Sequence, residues 1–63
     1  MYRVAISAES QTYSSYSQAL YYAQRLALER RGQTVSVWDI PSGLKLKDLW
    51  WDREAERLQE MSY

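Results

Sequence analysis

Two spacings of apolar positions divide this chain. A spacing of two occurs in Tyr2–Ser7, where Tyr2, Val4 and Ile6 share one face and Arg3, Ala5 and Ser7 the other, the pattern of a half-buried strand. It returns in Thr34–Ile40, with Val35 and Val37 on one side and Ser36, Trp38 and Ile40 on the other. Leu44–Lys47 alternates again, leucine against lysine, and Pro41-Ser42-Gly43 between the two stretches is turn chemistry. Residues 34–47 therefore read as a β-hairpin. One face of its second strand carries Leu44 and Leu46, and the other carries Lys45 and Lys47.

A spacing of three and four governs Ser15–Gly32, the stretch with the fullest set of helix signals. Tyr16, Ala19, Leu20, Ala23, Leu26 and Ala27 fall on one face. Ser15 followed by Gln18 has the spacing of a capping box. Arg30 and Arg31 suit the negative end of the helix dipole, and Gly32 suits a left-handed stop. A second helical pattern follows at 49–61, where Trp51, Ala55, Leu58 and Met61 make an apolar stripe behind Asp48 as N-cap. Between the first strand and the helix, Ala8–Ser14 is polar and lacks the Asn-Gly or Asp-Gly of a tight hairpin, so it reads as a loop.

The fold expected from these elements is α+β, one small domain over residues 1–63 in the order β-α-β-β-α: strand 2–7, helix 15–31, hairpin 34–47, helix 49–61. A three-stranded sheet would carry helix 15–31 packed on one face. The C-terminal amphipathic helix would either cover the second face, under Trp38 and Ile40, or pair with a second copy.

Composition narrows the chemistry. The 63 residues include no Cys and no His, which excludes disulfides, thiolate chemistry and ordinary zinc sites. Stability then rests on packing, for which six Tyr and three Trp provide area. The usual general bases and nucleophile pairs are missing, no serine lies in a nucleophile elbow, and there is no Gly-rich phosphate loop. The expectation is a protein that is not an enzyme, with no catalytic residue, no resident metal and no cofactor. No apolar run approaches the ~20 residues of a membrane span, and the lack of Cys fits a cytoplasmic setting.

Charge adds one distinction. The net charge is zero, but residues 1–47 hold six basic and three acidic side chains (net +3), and residues 48–63 hold two and five (net −3). Asp48, Asp52, Glu56 and Glu60 recur every fourth residue, so on a helix they would form an acidic face. Solvation with intrahelical pairing to Arg53 and Arg57 is the plain account of that face. Docking on a basic partner is the functional account, and a divalent-cation site is the weakest, because such sites draw ligands from loops. Tyr21 and Leu28, seven apart, lie off the main stripe of the first helix and suit contact with another surface. Trp50 points away from the centre of the stripe that holds Trp51, so it either covers a sheet edge in core or boundary packing, the plainer account, or stands exposed as an interface anchor.

The leading expectation is a protein–protein interaction module, a small regulator or inhibitor, that binds its partner through Tyr21, Leu28, Trp50, Asp52, Glu56 and Glu60. The first alternative is a nucleic-acid-binding module with Arg30, Arg31, Lys45 and Lys47 as one phosphate-contacting patch, beside aromatic side chains that stack on bases. The second is a homodimeric accessory protein whose extra apolar surface closes the dimer.

Overall fold

The computed structural model describes residues 1–7 and 9–63. Among them the chain forms β1 (Tyr2–Ile6), β2 (Glu9–Tyr13), α1 (Tyr16–Glu29), β3 (Val35–Asp39), β4 (Leu44–Asp52) and β5 (Arg57–Ser62). The strands make one sheet in the order β2-β1-β3-β4-β5, with every neighbouring pair antiparallel. The α+β class stands, but the expected architecture does not. The described residues form one helix and five strands, not two helices and three strands.

The helix is built as its local signals indicate. Ser15 is the N-cap in extended conformation, and its Oγ accepts from the Gln18 N–H at 3.4 Å. Ala19, Ala23 and Ala27 are fully buried on the face turned to the sheet. Their short side chains let the helix backbone lie close over the sheet. Leu20 and Leu26 pack on the flanks of that contact. The helix ends at Glu29 rather than residue 31. Arg30 is the C-cap, its N–H donating to the Leu26 carbonyl at 2.8 Å, and Gly32 takes the left-handed stop at φ 99°.

The sheet presents one face to this helix. Val4 and Ile6 of β1, Val35 and Val37 of β3, and Leu49 of β4 are buried beneath the alanine row. Each contributes on the order of 1.5–3 kcal/mol by leaving water. Tyr2, Tyr13 and Leu58 close the margins of this core.

Two expected elements are replaced. Residues 9–13, read as loop, are strand β2, with Ile6 opposite Glu9 and Tyr2 opposite Tyr13. Ser7, just after β1, takes the left-handed φ of 49° that turns the chain out of the strand. Ala8, part of that expected loop, lies outside the described residues. The larger correction is the expected helix 49–61. Its first half extends β4 to Asp52, residues 53–56 turn, and Arg57–Ser62 returns as β5, pairing Trp51 with Leu58 and Leu49 with Glu60. Asp52 organises the turn, its Oδ1 accepting from the N–H groups of Glu54 at 3.0 Å and Ala55 at 3.2 Å. The side chains expected to form one helical stripe are dispersed. Trp51 and Leu58 pair across two strands, Ala55 is exposed in the turn, and Met61 shares the sheet face of Asp48.

The β3–β4 register shifts between Val37 and Trp38. Val37 pairs with Lys47 and Trp38 with Lys45, so Leu46 is an extra residue, a β-bulge. The bulge changes which way the flanking lysines point.

Candidate functional site

The second face of the sheet carries no helix among the described residues. Strand alternation and register place its side chains in cross-strand rows. One row runs Thr12, Arg3, Trp38, Lys45; the next runs Ser10, Ala5, Ser36, Asp48, Met61; beyond it stand Trp50 with Gln59 and Asp52 with Arg57. Trp38 and Trp50 thus flank the Ser36–Asp48 row. Both are half-buried by their neighbours in the sheet and keep an accessible surface.

Asp48 is the fixed point of this face. It is the one buried charged side chain among the described residues. Its Oδ1 accepts from Ser36 Oγ at 2.6 Å, and its Oδ2 accepts from Lys45 Nζ at 3.3 Å and from the Tyr63 hydroxyl. Burial alone would raise the Asp48 pKa. The hydrogen bonds from Ser36, Tyr63 and Lys45, with the lysine's charge, outweigh it and hold the carboxyl below its usual range. The Tyr63 pKa is raised, chiefly because its hydroxyl donates to that carboxylate. Lys45 Nζ lies over the rings of Trp38, 5.4 Å from its centroid, and Tyr63, at 5.1 Å. One ammonium therefore links the Asp48 network to Trp38.

The residues expected to form an acidic face do not come together. Asp48 is the buried hub just described, and Asp52 holds the β4–β5 turn. The backbone hydrogen bond from Ala55 is the main cause of the lowered Asp52 pKa, with further lowering from Glu54, Gln59 and the charge of Arg57. Glu56 sits in the turn at φ 54°, where it helps line a shallow depression with Arg31, Trp51 and Arg53. Glu60 lies on the helix side of the sheet and accepts from Lys47 Nζ at 2.8 Å. A helix would have aligned these carboxylates; two strands and a turn scatter them over three surfaces.

The four cations expected to form one patch are likewise separated. Arg30 and Arg31 lie at the C-terminal end of α1, whereas Lys47 lies with Tyr2 and Tyr16 at its N-terminal end, about 21 Å away along the 14-residue helix. Lys45 is on the opposite face of the sheet from Lys47, because the extra residue Leu46 reverses the alternation that would have put them together. Arg30 pairs with Glu9 at 2.9 Å, and Arg31 stacks over Trp51, 4.1 Å from its centroid. The hydrogen bond to Glu60 is the main cause of a raised Lys47 pKa.

Tyr21 and Leu28 remain on the outer side of α1, 55% and 42% exposed. Arg25 lies over the Tyr21 ring at 5.9 Å, and Tyr22 meets it edge-on at 5.3 Å. Of the residues expected to bind a partner, Trp50 and Asp52 are on the uncovered face; Tyr21, Leu28, Glu56 and Glu60 are not. Arg3, Thr12 and Gln59 join that face without any sequence signal beyond alternation.

No helix among the described residues is long and apolar enough to cross a membrane. No family model, curated protein or solved structure matches this chain.

Proposed function

We propose that this protein is a non-enzymatic binding module that docks a protein partner through the uncovered face of its sheet, with Trp50 and Trp38 as anchors. The observation that carries this reading is the placement of two half-buried Trp on a sheet face that no element among the described residues covers. Trp is the residue type that most often dominates interface energetics, and a rigid sheet presents it at little conformational cost. Around the anchors stand the polar side chains Thr12, Ser10, Ser36 and Gln59 and the charged Arg3, Lys45, Asp52 and Arg57, a composition suited to an interface rim.

A protein partner fits the electrostatics better than a nucleic acid. Arg30, Lys45 and Lys47 are each paired with a carboxylate of the same molecule, so phosphates would have to displace those pairs one at a time, at separate places.

The test is a photo-crosslinking amino acid placed at Trp50 or at Leu28 in the producing cell. The expected result is a defined protein adduct from position 50 and none from position 28. An adduct from position 28 alone would move the site to the outer stripe of the helix, and nucleic-acid adducts from position 50 would sink the protein-partner reading. Adducts only to a second copy would make the face a homodimer interface. With the captured partner in hand, Trp50→Ala should weaken binding by about 30-fold, the scale of an interface hot spot.

A further inference from the structure

The helix does not roof the whole sheet, and at the β2 edge this leaves a crevice. It has a volume of about 370 Å³, with Val4 and Ile6 as floor and Leu26 and Tyr22 as the helix wall. One end is closed by Tyr13 stacked on Tyr22, with centroids 5.0 Å apart and planes 13° from parallel. Glu9, held by Arg30 at 2.9 Å, stands at the other end. Between them Ser10 and Gln11 complete the lining.

Beside this crevice runs a strand guarded by a single charge, Glu9, at its first position. β2 is an outer strand of the sheet, and an outer strand turns every other N–H and C=O outward without a partner. Edges are commonly protected by charged side chains, Lys above all, by Pro or by a bulge. The stretch Glu9–Tyr13 holds neither Lys nor Pro and pairs with β1 in unbroken register. Its one charge, Glu9, is engaged by Arg30. The other outer strand, β5, differs: it carries two charges, Arg57 and Glu60, and the crevice that reaches its Ser62 is lined in part by the charged side chain of Lys47.

We infer that β2 and the crevice form one docking site for an extended segment of a partner protein, added as a sixth strand. The two halves of the site specify different parts of that segment. The free edge requires an extended backbone with its own N–H and C=O groups available. The crevice requires an apolar or aromatic side chain on the helix side, leaning over Gln11 against Tyr22 and Leu26. The next side chain along falls on the other face, beside Ser10 and Thr12, and is polar. The occupant is therefore a short segment of alternating apolar and polar residues. A second copy of β2 fits less well: on the helix side it would bring Glu9, Gln11 and Tyr13, two polar side chains and one aromatic, to a crevice that asks for apolar ones. This site lies across the sheet from Trp50 and stands or falls independently of the uncovered face.

The experiment selects phage-displayed random 12-residue peptides on the folded chain, then titrates the enriched peptides into the isotope-labelled protein by NMR. Enriched peptides should alternate apolar and polar residues. They should shift the amides of Ser10–Tyr13 together with Tyr22 and Leu26, and should slow hydrogen exchange along β2. Methylating the alternate peptide nitrogens that face β2 should weaken binding about tenfold or more, whereas methylating the set that faces away should weaken it far less, because only the first set donates to the ladder. No enrichment, shifts centred on Trp38 and Trp50, or full binding by the peptide methylated on the first set would each overturn the inference. So would β2 amides already protected without peptide in a sedimenting dimer.

Discussion

At the scale of single residues, Asp48 is where electrostatics and stability meet most directly. Its carboxylate is buried and bound by Ser36, Lys45 and Tyr63, so replacing one of its oxygens by an amide NH2 removes the charge and leaves the donors on that oxygen without an acceptor. Asp48→Asn is expected to cost about 1–3 kcal/mol at pH 7. The pH dependence follows from the lowered pKa. A carboxyl that titrates lower when folded contributes stability that is fully present above its unfolded pKa and is lost as pH falls through the folded one. The gap between wild type and Asp48→Asn should therefore be full at pH 7 and shrink below about pH 4. Urea denaturation at pH 7 and pH 3 measures it, and an unchanged gap would mean that the charge of Asp48 is not what the network holds. By contrast, Tyr21→Ala, on the exposed side of the helix, should change stability by only about 0.5 kcal/mol.

At the scale of elements, the β4–β5 hairpin and the alanine face each make a prediction whose sign is informative. Glu56 holds φ 54° in the hairpin turn, a conformation that is strained for a residue with a Cβ and free for glycine. Glu56→Gly should stabilise the protein by roughly 0.5 kcal/mol once the added freedom of the unfolded chain is subtracted. In the helix that residues 49–61 suggest, the same change would destabilise by about 1 kcal/mol. Thermal unfolding thus distinguishes the two conformations by direction alone. The alanine row sets the distance between helix and sheet. Ala23→Leu should destabilise by about 1–3 kcal/mol despite the better apolar match, because no space exists beneath a fully buried alanine. A neutral result would show the helix free to lift.

At the scale of the whole molecule, the strand order predicts a gradient of protection. β1, β3 and β4 are paired on both sides, whereas β2 and β5 each have one free edge. Amide exchange should be slowest in Val4, Val37 and Leu49 and faster by orders of magnitude in β2 and β5. Equal protection in β2 or β5 and the central strands would place that edge inside a larger sheet formed between copies. One helix covers one face, which leaves Trp38 and Trp50 accessible on the other and the outer edge of β2 without a neighbouring strand among the described residues.

Local signals in the sequence determine the elements whose reasons are local. Ser15 and the 3–4 spacing of Ala19, Ala23 and Ala27 specify α1, and the alternation of Val35 and Val37 across Pro41-Ser42-Gly43 specifies β3 and its turn. Trp50 was legible as a side chain off the helical stripe, and as a strand residue it lies half-buried on the uncovered face of the sheet. Residues 49–61 were not legible in this way. Arg53, Glu54, Ala55 and Arg57 are good helix formers, and Trp51, Leu58 and Met61 fit a helical stripe as well as they fit a hairpin. Tertiary structure decided between them: as a strand, Leu49 completes the floor beneath the alanine row beside Val35, a position a helix starting at Asp48 would leave empty. β2 likewise exists because β1 offers it a ladder, not because Glu-Ser-Gln-Thr-Tyr favours one. The candidate sites depend most on this level. A bulge of one residue at Leu46 places Lys45 and Lys47 on opposite faces, and the choice of hairpin over helix disperses four carboxylates. Neither is written in spacing alone, because both depend on which strand each residue finds as its neighbour.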